Sequence, residues 1–461
     1  MESTLQLQKK AFSLDPQPDL EQRKRNLWQL AEMIKRHQHE FAHALDADFG
    51  LRNPTETRLV DVFPLLELIR YNRKHLHRWM KPEKRQSNRW FFPAKSMVIP
   101  CPKGVVGIIS PGNYPLLLSL GPVAQALAAG NRVMLKLSEH TPAFSDLLKR
   151  TLSEVFNEDQ VAVFLGGPDA GAAFSALPLD HLLFTGSIAV GKRVMQAAAQ
   201  NLTPVTLELG GKCPSLLLSD ADFKDAAKKI ILTKCFNSGQ SCIASDYVLL
   251  PEERMGEFID LARSTFHSLY PHWHKNKDFT SLSTPAAYAK FQEIMRETNE
   301  AGCEVIPLAQ DSAREARRIF APHLVLNPPL DLRIMQEELF SPILPVIGYS
   351  SVKEALEIIQ ENPRPLALYI FSQDIEIAKS LGLHVPSGGV CINECMYHIA
   401  QESLPFGGTG NSGIGQYMGR EGFLTFSQLR PFFTQSPASA NFLASPPYGA
   451  RVKSLLKLMI R

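Results

Sequence analysis

Charge of one sign is barely in excess: the 461-residue chain carries 49 Lys and Arg against 46 Asp and Glu, a formal net charge of +3. So small an imbalance supplies neither the basic field that gathers nucleic acid nor a polybasic surface for anionic lipid, and neither partner is expected. Cysteine is sparse, with seven residues scattered without a framework spacing. That argues against a disulfide scaffold and for a reducing, cytoplasmic compartment. No run approaches 18 uncharged apolar residues. The longest candidate, residues 105–129, is broken by Pro111, Gly112, Asn113, Pro115 and Pro122, so no membrane span is expected. The first fifteen residues include Lys9 and Lys10 but no apolar stretch or small-residue cleavage site, so no secretory signal is expected either. There is no His-Glu-x-x-His, and Cys391 and Cys395 have no further ligands at metal spacing; the expected metal complement is none.

What is present is an ordinary globular composition, 44% hydrophobic and 21% charged, which excludes disorder and collagen-like repeats. The length suggests about two to four domains of roughly 100–200 residues. A chain of this size buries enough surface to fold without a disulfide or metal staple. Leu27, Leu30, Ala31, Ile34, Phe41 and Leu45 recur at helical spacing and predict an amphipathic helix over 20–49. A second long helix is expected over 55–80, and its basic end (Arg70, Arg73, Lys74, Arg78, Lys81) complements the helix dipole. Residues 85–102 read as β-structure interrupted by proline, suited to an edge or an excursion from the main domain. From Gly104 on, strand candidates at 105–109, 132–137, 161–165, 181–184 and 205–209 alternate with helix candidates at 116–129, 143–154, 171–176 and 190–199. This alternation implies an α/β fold with a parallel sheet, and it restarts after Pro214 as a second α/β unit. Residues 452–461 mix Leu455, Leu456, Leu458, Met459 and Ile460 with Lys453, Lys457 and Arg461. They are too short to span a bilayer, and a packed helix is expected in preference to a surface anchor.

Four segments could carry chemistry. Cys242 ends the polar, glycine-containing stretch Phe236-Asn237-Ser238-Gly239-Gln240-Ser241-Cys242, where a thiol can be exposed and activated. A lone loop cysteine is nevertheless more often structural, and Cys235, which follows an amphipathic helix, is expected to pack. Glu208 lies between Leu207 and Leu209 at the end of an apolar strand. Desolvation there would raise its pKa toward that of a general base, although a glutamate facing solvent from an edge strand would read the same. Gly186-Ser187-Ile188-Ala189-Val190-Gly191 follows a strand and opens a helix, the geometry that holds a pyrophosphate on backbone amides. Gly408-Thr409-Gly410-Asn411-Ser412-Gly413 fits G-x-G-x-x-G but opens no strand-turn-helix unit, so it is read as a false dinucleotide fingerprint.

Together these segments resemble the aldehyde dehydrogenase superfamily over nearly the whole chain. Ser110-Pro111-Gly112-Asn113-Tyr114-Pro115 is similar to its oxyanion-asparagine motif, and 130–139, containing Lys136 and Glu139, to its adenosine-ribose motif. Phe184-Thr185-Gly186-Ser187 with Gly191 resembles the phosphate turn, 207–212 the general-base motif and 237–242 the nucleophile motif. Glu337-Glu338-Leu339-Phe340-Ser341-Pro342 resembles the nicotinamide-side motif, and Pro405-Phe406-Gly407-Gly408 closes the series. Residues 364–371 are similar to the class 3 branch, and 39–79 with 400–405 to its coniferyl aldehyde dehydrogenase group.

The resemblance implies NAD(P)-dependent oxidation of an aldehyde, aromatic or medium-chain and with coniferyl aldehyde as a candidate, to the carboxylic acid. Cys242 would be the nucleophile, passing through a thiohemiacetal and a thioester; Asn113 would hold the oxyanion and Glu208 would activate water. Lys136 and Glu139 would bind the adenosine ribose, Gly186, Ser187 and Gly191 the pyrophosphate, Glu338 the nicotinamide ribose, and Phe340 would pack near the nicotinamide. NAD is the expected cofactor, with NADP usable. The alternatives are a CoA-acylating dehydrogenase, disfavoured by retention of Glu208, and a non-catalytic protein on the same fold, disfavoured by Cys242, Glu208 and Asn113 together. The implied architecture is a Rossmann-like cofactor domain (1–85 and 103–209), a second α/β catalytic domain (210–400) and a β-rich oligomerisation arm (86–102 and 401–433), with 434–461 as a C-terminal tail. A homodimer is expected. Three positions depart from the family pattern: Gly112 stands in place of a usual tryptophan, which should widen or soften the channel wall, Ser341 in place of a glycine and Ser245 in place of a proline.

Overall fold

The alternation after Gly104 winds into a six-stranded sheet. The computed structural model describes residues 1–310, 317–438 and 446–460. Across the sheet the strands run Gly413–Ile414, Val205–Leu209, His181–Gly186, Val105–Ile109, Arg132–Lys136 and Val161–Phe164. All pairs are parallel except the short edge strand Gly413–Ile414, which runs antiparallel to Val205–Leu209. From the central strand Val105–Ile109 the chain steps outward on one side, through Arg132–Lys136 and Val161–Phe164. It then returns to the other side at His181–Gly186. The winding therefore reverses between Val105–Ile109 and His181–Gly186, and a crevice opens beyond the carboxyl ends of strands at such a point. Helix Pro115–Ala129 is buried over its whole length, as its nearly uninterrupted apolar sequence requires.

A second sheet of seven strands runs Glu304–Pro307, His323–Leu326, Ile343–Tyr349, Tyr247–Pro251, Pro214–Leu217, Ala367–Phe371 and Gly389–Ile392. Only the Glu304–Pro307 edge is antiparallel. The third sheet is a small antiparallel one made of Glu83–Arg85, Lys95–Pro102 and Ser427–Thr434. The fold is thus mixed α/β with two parallel-sheet units and a β excursion.

The helix Leu20–Phe49 has the bounds its periodicity predicts. The Asp19 side chain caps its start by accepting the Gln22 N–H at 2.8 Å, and Gly50 ends it at φ 83°. The helix expected over 55–80 is interrupted: Pro54–Thr57 leads into a π-turn over Arg58–Val62 before Phe63–Trp79 continues. Pro64 has no N–H and its ring crowds the carbonyl four residues back. The chain relaxes by bonding the Phe63 N–H to the Arg58 carbonyl, one residue further away than in an α-helix.

The segment 401–433 divides. Only its last part joins the three-stranded sheet; Gly413–Ile414 extends the first sheet, and helix Gly419–Thr425 packs against helices Phe63–Trp79 and Pro115–Ala129. The C-terminal helix forms over Ala450–Met459, but it is not packed as expected: only Val452 is buried, while Leu456, Leu458, Met459 and Ile460 are exposed. No helix among the described residues is long and apolar enough to cross a membrane.

Candidate active site

The crevice gathers groups from both parallel sheets. Asn113 lies in the turn between strand Val105–Ile109 and helix Pro115–Ala129, and it is buried. Its side-chain Nδ2 donates to the Gln240 carbonyl at 3.1 Å. Its own carbonyl accepts from Arg52 Nη1 and from Asn237 Nδ2, each at 3.0 Å. The turn is therefore fixed from both sides, and one amide hydrogen of Asn113 is committed to the loop that carries Cys242.

That loop is conformationally unusual. Asn237, Ser238 and Gly239 all have left-handed φ, of 50°, 56° and 72°. The glycine is required: a Cβ there would lie 2.5 Å from the Ser341 carbonyl oxygen. Gln240 braces the loop by donating Nε2 to the carbonyls of Asn237 at 2.8 Å and Ser281 at 3.0 Å, while its Oε1 accepts from the Ser283 N–H at 2.8 Å. Cys242 follows, half-buried, with its carbonyl accepting from the Cys213 thiol at 3.3 Å. Burial pushes the Cys242 thiol well up, and the nearby carboxyls of Glu338 and Glu208 push it further. Cys235 is buried, as expected.

Glu208 occupies the strand Val205–Leu209 and is 2% exposed, which removes the solvent-facing alternative. Neither carboxyl oxygen has a hydrogen-bond partner, and burial drives its pKa well above the ordinary carboxylate range. Glu338 approaches from the second sheet. Burial, followed by the charge of Asp246, pushes it up to about 8, and its Oε1 is buried without a partner. Gly210 permits this approach, since a Cβ there would meet Glu338 Oε2 at 2.1 Å. A thiol and two poorly solvated carboxyls beside an anchored amide form a constellation suited to covalent acyl chemistry.

Of the remaining candidates, Lys136, Glu139 and Ser187 lie at or beyond the carboxyl ends of first-sheet strands, and Phe340 in the segment before strand Ile343–Tyr349. Lys136 Nζ meets Glu139 Oε2 at 3.1 Å at the end of strand Arg132–Lys136. Burial pushes the Glu139 carboxyl up, but its own backbone N–H and Lys136 outweigh that and hold it below its usual value. Ser187 caps helix Ile188–Ala199 by accepting the Val190 N–H at 3.4 Å, immediately after strand His181–Gly186. Gly191 lets that helix sit against Leu209, whose Cδ2 would lie 2.6 Å from an added Cβ. Phe340 has a left-handed φ of 49° just after Leu339, whose N–H donates to Asp246 Oδ1 at 3.1 Å. The unpartnered Glu338 oxygen, the Lys136–Glu139 pair and the helix N-terminus at Ser187 are groups that could hold a dinucleotide. A side chain at Gly112 would start 3.0 Å from Ser138 Oγ and 3.2 Å from His140 Cβ, so the turn around Glu139 closes in on this position and leaves no open space at its Cβ.

Four contributors escape a motif reading. Arg52 pairs with Asp61 at 2.7 Å, both fully buried, and reaches Asn113. Glu56 accepts the N–H of Asn237. Asp246 binds Lys212 at 2.6 Å and, through Leu339, secures the Glu338 segment. The one sequence signal for these groups is a charged residue within an otherwise packed segment.

Residues 2–431 match the family model described as the aldehyde dehydrogenase family. The chain belongs to the aldehyde dehydrogenase family. It is 44% identical over 462 residues to a probable coniferyl aldehyde dehydrogenase of Pseudomonas aeruginosa, covering 100% of this chain and 96% of that relative. Its fold is similar to that of Staphylococcus aureus AldH in a substrate-bound state, with a TM-score of 0.93, 33% identity and 99% of both chains covered. Betaine aldehyde dehydrogenase of Staphylococcus aureus, solved in complex with NAD+, gives a TM-score of 0.85 at 26% identity, covering 96% of this chain and 89% of that one. Oxidation of an aldehyde, with the NAD(P) dependence general to the family, is the reaction class of this enzyme.

Proposed function

We propose that this enzyme oxidises an aromatic or medium-chain aldehyde, coniferyl aldehyde among them, to the carboxylic acid through Cys242, with NAD preferred and NADP usable. The observation that carries the reading is the docking of the Asn113 amide on the Cys242 loop beside the unpartnered carboxyl of Glu208. The Cys242 thiol gives its proton to solvent water, and the thiolate attacks the aldehyde carbon. The second Asn113 amide hydrogen and the Cys242 N–H receive the oxyanion; one such donor is worth roughly 2.7–4 kcal/mol in the transition state. A bound nicotinamide cofactor would supply the hydride acceptor, and loss of hydride from the thiohemiacetal carbon would leave an acyl thioester on Cys242. Glu208, as carboxylate, then takes a proton from the water that attacks the thioester, and the thiol leaves.

Lys136 and Glu139 hold the adenosine ribose, Gly186, Ser187 and Gly191 the pyrophosphate at the helix N-terminus, and Glu338 the nicotinamide ribose, with Phe340 against the ring. The sheet edge Ser427–Thr434, with Leu429, Phe432 and Phe433 exposed, supports a homodimer. A catalytic thiol suits the reducing cytoplasm.

Two measurements test the reading. Wild type should release one carboxylic acid per NADH without added CoA, and Cys242→Ala should lose turnover while keeping its affinity for NAD. An absolute requirement for CoA, or near-normal turnover by the alanine variant, would overturn it.

A further inference from the structure

Left-handed backbone at two successive non-glycine residues, Asn237 and Ser238, persists only where surrounding groups over-determine it. One of those groups comes from far away in sequence. Glu56, on the N-terminal turn Pro54–Thr57, accepts the N–H of Asn237 on one carboxyl oxygen and the Thr280 hydroxyl, at 2.6 Å, on the other. Asn237 passes the constraint on. Its Nδ2 donates to the Asn113 carbonyl at 3.0 Å and to the Gln240 carbonyl at 3.2 Å, and the same Gln240 carbonyl accepts the Asn113 amide. Glu56 thus acts, through one residue, on both the amide and the loop that carries the thiol. A carboxyl suits the place because its two oxygens accept from two donors at once; burial raises its pKa, and the Arg52 guanidinium and the two donors oppose that shift without cancelling it.

We propose that Glu56 is a positioning residue for the oxyanion hole: by holding the Asn237 N–H it keeps the left-handed loop in the arrangement that sets the Asn113 amide against Cys242. Glu56 touches no reacting atom. The inference rests on the oxyanion role proposed above for Asn113.

The test is a double-mutant cycle read in the rate of the first-turnover NADH burst. Glu56→Ala should slow the burst by roughly 10–100-fold, the scale of an ångström-sized misplacement. In an Asn113→Ala background the same change should cost less than about threefold, because the amide it positions is gone. Glu56→Gln, which retains an acceptor oxygen for Asn237, should recover most of the rate. If Glu56→Ala does not fold, Thr280→Val removes one donor from the same carboxylate and enters the same cycle, with a smaller loss that likewise vanishes in the Asn113→Ala background. Equal losses in the two backgrounds, or a glutamine variant as slow as alanine, would overturn the positioning role alone. No loss on Asn113→Ala by itself would overturn the oxyanion reading and the positioning role with it.

Discussion

Asn113 donates its side-chain amide to the carbonyl of Gln240 across 3.1 Å, joining the end of a strand in the first sheet to the loop that presents Cys242. An amide nitrogen carries two hydrogens, so this contact fixes its rotation and leaves the second hydrogen for an oxyanion. Arg52 and Asn237 hold the backbone carbonyl of the same residue. On the proposed mechanism the electrostatic part of catalysis would be set before substrate arrives, which lets such donors act without reorganisation.

Glu208→Gln keeps size and packing but cannot accept a proton. The NADH burst of the first turnover should survive, while steady-state turnover falls by roughly 10²–10⁴-fold, the usual contribution of a general base. Stopped-flow absorbance at the NADH band separates the two phases. Equal loss of both would assign Glu208 to activation of the Cys242 thiol instead.

Glu338 makes stability depend on pH. Its folded-state carboxyl ionises near 8, whereas an unfolded glutamate does so near 4.3. Between those values the folded chain holds a proton that the unfolded chain has released, so stability falls as pH rises through the window and levels off above about 8. Cofactor-free Glu338→Gln should lose less thermal stability than wild type between pH 5 and 8.5. Melting temperatures by differential scanning fluorimetry decide this; parallel curves would place Glu338 in solvent.

The sheets and most motif residues were legible because each depends on a few neighbours in sequence. Strand Val105–Ile109 and the turn at Ser187 follow from apolar runs ending at polar or glycine residues, whereas the burial of Glu208 does not, since a solvent-facing glutamate on an edge strand reads the same. The π-turn over Arg58–Val62 was not legible, since it is a local response to Pro64 that periodicity does not register. Nor were Arg52 and Glu56, whose partners lie 61 and 181 residues away. The left-handed Asn237 and Ser238 escaped notice for a different reason: neither residue type requires that conformation, and only the folded surroundings impose it. The C-terminal helix was legible as a helix, but its lack of packing was not, because amphipathicity does not say what will lie opposite.

Asp246 secures the Glu338 segment from below. Its carboxylate is buried, binds Lys212 Nζ at 2.6 Å and accepts the Leu339 N–H at 3.1 Å. Asp246→Ala would leave the Lys212 ammonium buried without its countercharge, a change that costs about 3–5 kcal/mol in comparable pairs. Urea unfolding should show that loss. The KM for NAD should rise more than kcat falls, because Glu338 loses its support while Cys242 and Asn113 keep theirs. Unchanged stability and NAD affinity would mean that the carbonyls of Ile334 and Glu337, which also accept from Lys212, suffice.

On the proposed assignment, cofactor preference turns on Glu139. Paired with Lys136 and held ionised, this carboxylate would, on that assignment, accept hydrogen bonds from ribose hydroxyls. A 2′-phosphate there would set like charges a few ångströms apart. At about 4 Å, two unit charges repel by about 4 kcal/mol at an effective dielectric of ~20 and by about 1 kcal/mol in water. Glu139 is exposed, so the lower figure is closer, and the preference for NAD should be modest. Lys136 Nζ, 3.1 Å from Glu139 and buried, narrows it further, because the same ammonium can pair with the phosphate. Glu139→Gln removes the repulsion but keeps a hydrogen-bond acceptor, so the KM for NADP should fall relative to that for NAD. Lys136→Met should act in the opposite sense on NADP by removing an attractive charge. Steady-state kinetics with both cofactors checks the pair. A wild-type preference for NADP, or a KM ratio untouched by Glu139→Gln, would show that this carboxylate does not read the ribose.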